Sequence, residues 1–275
     1  MSNRRVLWDA AFVLIALISL TATFRLYRFF EPTLAHHSFG SISVREADKH
    51  IESAKAYIDT HPDDYKAWTS LSIAYYSKGP EFYDKGLNAL DKARNLGAND
   101  EQLFYYAGVM FDVLGLPDYA MVELSKYLHH HPNDYETCIR LANIYFKQKH
   151  TDEAMALYKQ IIHEWPKDPT IWYNYALLNK EKQNWAVALT SLAQVRKLAG
   201  QMPEGGLYLE GEIYRLQGQE DKAVQSYQQE LVKFPNSLPA LEALDMMARH
   251  HGDRKQSREF QKRIQELKKQ AKAAA

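Results

Sequence analysis

Only one cysteine, Cys138, occurs in the 275 residues. An internal disulfide or a multi-cysteine zinc site is therefore impossible, and a lone thiol fits a reducing or an oxidising compartment equally well. An excess of either charge is also missing, since 34 basic side chains meet 34 acidic ones. Nucleic-acid binders normally carry a large basic surplus, so no nucleic-acid partner is expected. There is no phosphate-binding glycine loop, and Gly205-Gly206 reads as an eased turn. Spacing nominates no nucleophile–base pair. Glu153 and Asp221 fall in turns and at the starts of helices, where the helix dipole accounts for them. His36-His37 reads as a polar loop pair and His129-His130-His131 as a helix C-terminus complementing its dipole. The chain is expected not to be an enzyme, with no catalytic residues, no metal ligands and no cofactor.

Long apolar runs are scarce, with one exception. Residues 6–24, VLWDAAFVLIALISLTATF, hold a single charge, Asp9. A helix of that length nearly matches a hydrocarbon core of about 30 Å. Arg4 and Arg5 precede the run, Arg25 and Arg28 follow it, and Trp8, Tyr27, Phe29 and Phe30 suit the headgroup level. A cleaved signal peptide is the alternative, but Leu20-x-Ala22 is bulky at its first position and residues 33–35 lie too far downstream. A retained single-pass anchor is expected, with the bilayer as a partner through residues 6–24. Residues 1–5 would form a short cytoplasmic tail. The helical domain would then lie on the extracytoplasmic side, the periplasm in a Gram-negative bacterium, although the near tie in flanking arginines leaves the cytoplasmic side open. Residues 25–43, with Pro32, Gly40 and several serines, read as a juxtamembrane linker.

The rest of the chain is periodic. In residues 135–168, YETCIRLANIYFKQKHTDEAMALYKQIIHEWPKD, apolar residues recur at helical spacing around Leu141 and Tyr145, break at a polar turn, and recur around Ala154, Tyr158 and Ile161. Pro166 ends the second helix. Ala120, Ala154, Ala188 and Ala223 lie 34, 34 and 35 residues apart, and Pro132 and Pro166 lie 34 apart. A hairpin of this size cannot bury its own apolar faces and needs neighbours. The pattern resembles the tetratricopeptide repeat, W-x2-L-G-x2-Y, then A-x3-F, then P.

The resemblance implies an all-α, right-handed superhelical solenoid of helix hairpins preceded by one N-terminal transmembrane helix. It divides the chain into a capping helix or half repeat (44–64), five repeats (65–100, 101–134, 135–168, 169–203, 204–237), capping helices (238–269) and a disordered tail (270–275). Repeat one has a turn two residues longer than the family's, at 79–82. Cys138 replaces the family's tryptophan in a packing role. Glu210 stands where the family has leucine, which implies a looser or shifted crossing.

By the family's geometry, the first helix of each pair lines a concave face. The resemblance thus implies a partner-binding groove made of Thr69, Ile73, Tyr76, Tyr105, Val109, Ile139, Asn143, Phe146, Tyr173, Leu177, Tyr208 and Glu212, with Val113 adding apolar surface. Lys180, Glu181 and Arg215 make its C-terminal end wetter. Tyrosines here either bind a peptide or helix or pack between repeats, since both settings favour aromatics. The set does not match a carboxylate clamp, which places lysine, asparagine and arginine at these positions, since here they are mostly tyrosine, isoleucine and valine. The expected function is a membrane-anchored scaffold or adaptor for assembly of a membrane-associated complex, gripping a protein partner in an aromatic groove. The alternative is an envelope holdase for exported or newly inserted proteins, akin to accessory factors of secretion or c-type cytochrome maturation. Oligomeric state is left open.

Overall fold

The computed structural model describes residues 44–273, so the expected anchor at 6–24, the tail at 1–5 and the linker at 25–43 lie outside the described residues. Thirteen α-helices and one 3-10 turn occur there, with no strand among the described residues. Two compact units contain them, divided at Pro166.

The N-terminal unit holds α1 (Val44–Thr60), α2 (Tyr65–Lys78), α3 (Tyr83–Asn95), α4 (Gln102–Val113), α5 (Pro117–His130), α6 (Tyr135–Lys147) and α7 (Thr151–Glu164). The long turn of repeat one is a single 3-10 turn, Pro80–Phe82, entered through Gly79 at φ 130°, a conformation that only glycine adopts without strain. The C-terminal unit holds α8 (Pro169–Glu181), α9 (Trp185–Ala199), α10 (Gly206–Leu216), α11 (Glu220–Lys233), α12 (Leu238–His250) and α13 (Arg254–Ala273). The last helix runs to Ala273, past the expected boundary at 269, and so includes most of the stretch read as a disordered tail.

Helix starts follow local chemistry. After Pro62, Pro132 and Pro166, an aspartate caps the helix that follows: Asp64 accepts the Lys66 N–H, Asp134 the Thr137 N–H and Asp168 the Thr170 N–H, each at 2.8 Å. Within a hairpin, small residues let the helices touch. A Cβ on Gly108 would stand 2.5 Å from the Leu124 side chain, and one on Gly211 would stand 2.5 Å from the Tyr227 ring. Ala142 and Ala176 fill the same place in repeats three and four and are fully buried. Glu210 does not loosen its crossing. It reaches sideways to Arg196 at 2.8 Å while Gly211 keeps the helices in contact. Cys138 is buried and directs its thiol at the Pro132 carbonyl, 3.5 Å away. Burial, with a contribution from Asp134, pushes that thiol up to about 12, so it is a packing residue.

Candidate functional site

The structure divides the twelve groove residues into two sets. Tyr105, Val109, Ile139, Asn143 and Tyr173 are buried, whereas Thr69, Ile73, Tyr76, Phe146, Leu177, Tyr208 and Glu212 are half-buried. The first set therefore departs from the expected open groove, and the reason lies in the packing. Tyr105 sits in a tyrosine cluster with Tyr106 at 5.8 Å and Tyr127 at 5.4 Å, to which Tyr76 adds an edge contact on Tyr106 at 4.9 Å. Burial pushes the Tyr127 hydroxyl up to about 12 and the Tyr76, Tyr105 and Tyr173 hydroxyls higher still, so all stay neutral. Tyr173 belongs to a buried cluster with Ala176, Leu192 and Leu207.

Asn143 and Glu212 show what sets polarity at the ninth position of a repeat, counting from residues 65, 101, 135, 169 and 204. The Tyr158 hydroxyl donates to Asn143 Oδ1, and the Tyr227 hydroxyl donates to Glu212 Oε1 at 2.5 Å. Both tyrosines occupy the repeat's A-x3-F position. Where that position holds Leu90, Leu124 or Leu192, the ninth holds Ile73, Val109 or Leu177. A buried hydroxyl needs an acceptor and a leucine does not, so the two positions are chosen together. That pairing is readable in the sequence once the two positions are compared, and it accounts for both residues without a ligand.

Polar knots surround the remaining inner positions. In the N-terminal unit, Arg140 donates to Asp112 at 2.9 Å and Glu136 at 3.4 Å, and the Tyr105 hydroxyl donates to Glu136 at 3.0 Å. Burial works against the Arg140 charge, but Asp112, Tyr105 and Glu136 outweigh it and hold the guanidinium's pKa above its ordinary value. In the C-terminal unit, Arg215 grips Glu212 through two bonds of 3.0 and 2.8 Å. Burial pushes the Glu212 carboxyl up, yet the bonds from Arg215 and Tyr227 and the charges of Arg215 and Lys180 bring it below the ordinary carboxylate value. Lys180 pairs with Glu181 at 3.2 Å.

Histidines pair with acids. His130 and His131 face Glu101 at 3.2 and 3.3 Å. Glu220, His250 and His251 converge to within 4.8 Å on an exposed surface, where His251 lies 3.1 Å from Glu220. A cleft of about 670 Å³ opens among α1, α2 and α3, lined by Ile58, Trp68, Leu71 and Tyr75 with Lys55 and Lys92 beside them.

Sequence reasoning used only Val113 of one surface, as an addition to the groove, and passed over the rest. Val113, Leu114, Leu116, Tyr119 and Val122 are all exposed, Tyr119 by 61%, at the α4–α5 turn. The Tyr119 ring lies over Phe111 at 5.2 Å, which holds it in place. Three other hairpin turns are polar: Gln148-Lys149-His150, Lys182-Gln183-Asn184 and Gln217-Gly218-Gln219. The signal was present in the string Val113-Leu114-Gly115-Leu116, an apolar turn where repeats three, four and five have polar ones.

Stacked helix hairpins with small crossing residues and a period near 34 define a helical repeat protein. Two family models, both described as tetratricopeptide repeat, match residues 115–180 and 206–237. The chain therefore carries tetratricopeptide repeats over these two segments. It is similar in structure to YrrB, a tetratricopeptide-repeat protein with an unusual peptide-binding site, at 18% identity and a TM-score of 0.59, covering 70% of this chain and 98% of that one. MamA is similar at 21% identity and a TM-score of 0.54, covering 61% and 97%. In sequence, the protein O-mannosyl-transferase Tmtc3 of Drosophila melanogaster is 22% identical over 173 residues, or 62% of this chain. The aligned part spans 19% of that protein's length. Tetratricopeptide repeats are usually non-catalytic interaction scaffolds. Among the described residues, no helix is long and apolar enough to cross a membrane.

Proposed function

We propose that the chain is a protein-binding scaffold, tethered to a bilayer through residues 6–24, whose partner docks on the apolar α4–α5 turn. The observation that carries this reading is the concentration of Val113, Leu114, Leu116, Tyr119 and Val122 within ten residues, while the other exposed large apolar side chains among the described residues are scattered singly. Leaving such a patch in water costs free energy, and contiguous exposed apolar surface marks protein interaction sites. Tyr119 supplies a rigid aromatic anchor at low entropic cost. Ile73, Tyr76 and Phe146, half-buried on inner helices of the same unit, are proposed to add secondary contacts. A tether raises the effective concentration of this surface toward membrane-associated partners, which suits a role in complex assembly.

A holdase needs a broad, adaptable aromatic surface. Burial of Tyr105 and Tyr173 removes the centre of such a groove, and the confined patch favours a dedicated partner. The test is co-purification from detergent-solubilised membranes. Leu116→Asp with Tyr119→Asp should lose a stoichiometric partner, with stability changed by no more than about 0.5 kcal/mol because both sites are exposed. Val232→Asp, the control at another exposed position, should retain it. Retention by the double variant would overturn the reading.

A further inference from the structure

The outer face of α13 is the most one-sided charged surface among the helices described above. Its twenty residues carry eight basic and two acidic side chains in a chain of zero formal net charge. Ser257 and Ile264 are buried against the unit, and Arg263 and Lys268 are engaged by the Pro235 carbonyl and Glu242 at 2.7 and 2.8 Å. The other six cations, Arg254, Lys255, Arg258, Lys262, Lys269 and Lys272, are exposed and make no ion pair among the described residues. At 3.6 residues per turn they fall within an arc of about 100° on the side away from Ile264, along roughly 27 Å of helix. Neither acid lies inside the arc. Gln265 does, with only Ala273 besides.

Solubility alone does not explain this arrangement. A terminal helix of an array needs a polar outer face, and mixed signs satisfy that need best. Here Arg254, Arg258 and Lys262 follow one another at four-residue spacing, which sets like charges side by side and weakens the helix. Arg254 and Lys255 also stand in the first turn, which has no acidic side chain and where the dipole disfavours cations. Asp253, just before the helix, offsets this only locally by accepting the Lys255 and Gln256 N–H groups at 3.1 and 3.0 Å.

We propose that this stripe is an electrostatic contact for an anionic phospholipid surface. A straight row of cations meets a plane of headgroup phosphates along its whole length, and basic clusters are drawn to such surfaces. The arc contains no aromatic or large aliphatic residue. It thus lacks the anchors from which protein interfaces draw affinity and the stacking platforms that single-stranded nucleic acids use. The inference extends the proposed attachment through residues 6–24, which would keep the unit within reach of a bilayer.

The test uses the full chain, with Gln265→Cys carrying a fluorophore; Cys138 is buried and does not compete for the label. Flotation with neutral phosphatidylcholine vesicles reads the anchor alone. Quenching of the fluorophore by headgroup-spin-labelled lipid reads the stripe. Including about 30 mole percent phosphatidylglycerol should raise the quenching about twofold over neutral vesicles. About 0.5 M salt, or Arg258→Glu with Lys262→Glu and Lys269→Glu, should return it to the neutral level. Flotation without added quenching would overturn the stripe and leave the anchor standing. Added quenching that survives charge reversal would overturn it too, as would an acidic protein crosslinking to position 265 in place of lipid.

Discussion

Glu136 in the N-terminal unit and Glu230 in the C-terminal unit are buried in opposite ways. In the N-terminal unit, Glu136 is enclosed with the Arg140 guanidinium, and Glu123 is met by Arg94 at 2.5 Å and Lys126 at 3.2 Å. These carboxylates are compensated by cations. In the C-terminal unit, Glu230 is fully buried with no arginine or lysine paired to it among the described residues. Its Oε1 accepts the Gly205 N–H at 2.6 Å, and the Leu207 and Tyr208 N–H groups act on the same carboxyl. The cause is the start of α10. Repeats three and four open with a capping aspartate, but repeat five opens with Gly205 in a left-handed turn and has no local cap. Glu230 reaches over from α11 and takes the cap's place. Burial dominates its titration and, with Glu204 nearby, pushes the carboxyl above its ordinary value despite the backbone donors. A remote cap thus couples the hairpin to the protonation of Glu230.

The sharpest way to break the comparison is Glu136→Ala. It strips Arg140 of one partner and orphans the Tyr105 hydroxyl, so denaturant unfolding should show a loss of about 3 kcal/mol. Gly211→Ala comes next, at about 2 kcal/mol, because its methyl group meets a tyrosine ring held in the core. Gly86→Ala should cost less, since the neighbour there is the flexible end of Met110. Glu230→Gln keeps an acceptor for Gly205 and removes the charge. The native carboxyl's folded value is raised, so its contribution is complete below the unfolded value and is lost as pH rises through the folded one. The melting temperature of Glu230→Gln relative to the native chain should therefore climb between pH 4 and pH 8. Smallest is Asp134→Ala, a local cap whose loss costs about 1 kcal/mol in denaturant unfolding.

Most of the fold was legible because repetition multiplies weak signals. Ala120, Ala154, Ala188 and Ala223 announce the hairpin crossings, and all four are fully buried. The aspartates after Pro62, Pro132 and Pro166 announce the helix starts. The site was less legible for two physical reasons. Assigning residues of each first helix to a groove treats each one singly, whereas Tyr105 answers to its tyrosine neighbours and Asn143 to the Tyr158 hydroxyl. Glu230 capping Gly205 across 25 residues is a tertiary contact with no local trace. The apolar turn at 113–116 was visible all along, yet a repeat consensus draws attention to agreement and away from departures such as this one.

The central claim is that partner contact lies on the apolar turn rather than among the buried tyrosines. It is tested by placing a photoreactive side chain at Tyr119 or at Tyr173 in the full chain within its own membrane. The account predicts one dominant crosslinked protein from position 119 and none from position 173. A crosslink from 173 with position 119 silent would contradict it and return the site to the inner face of the helices.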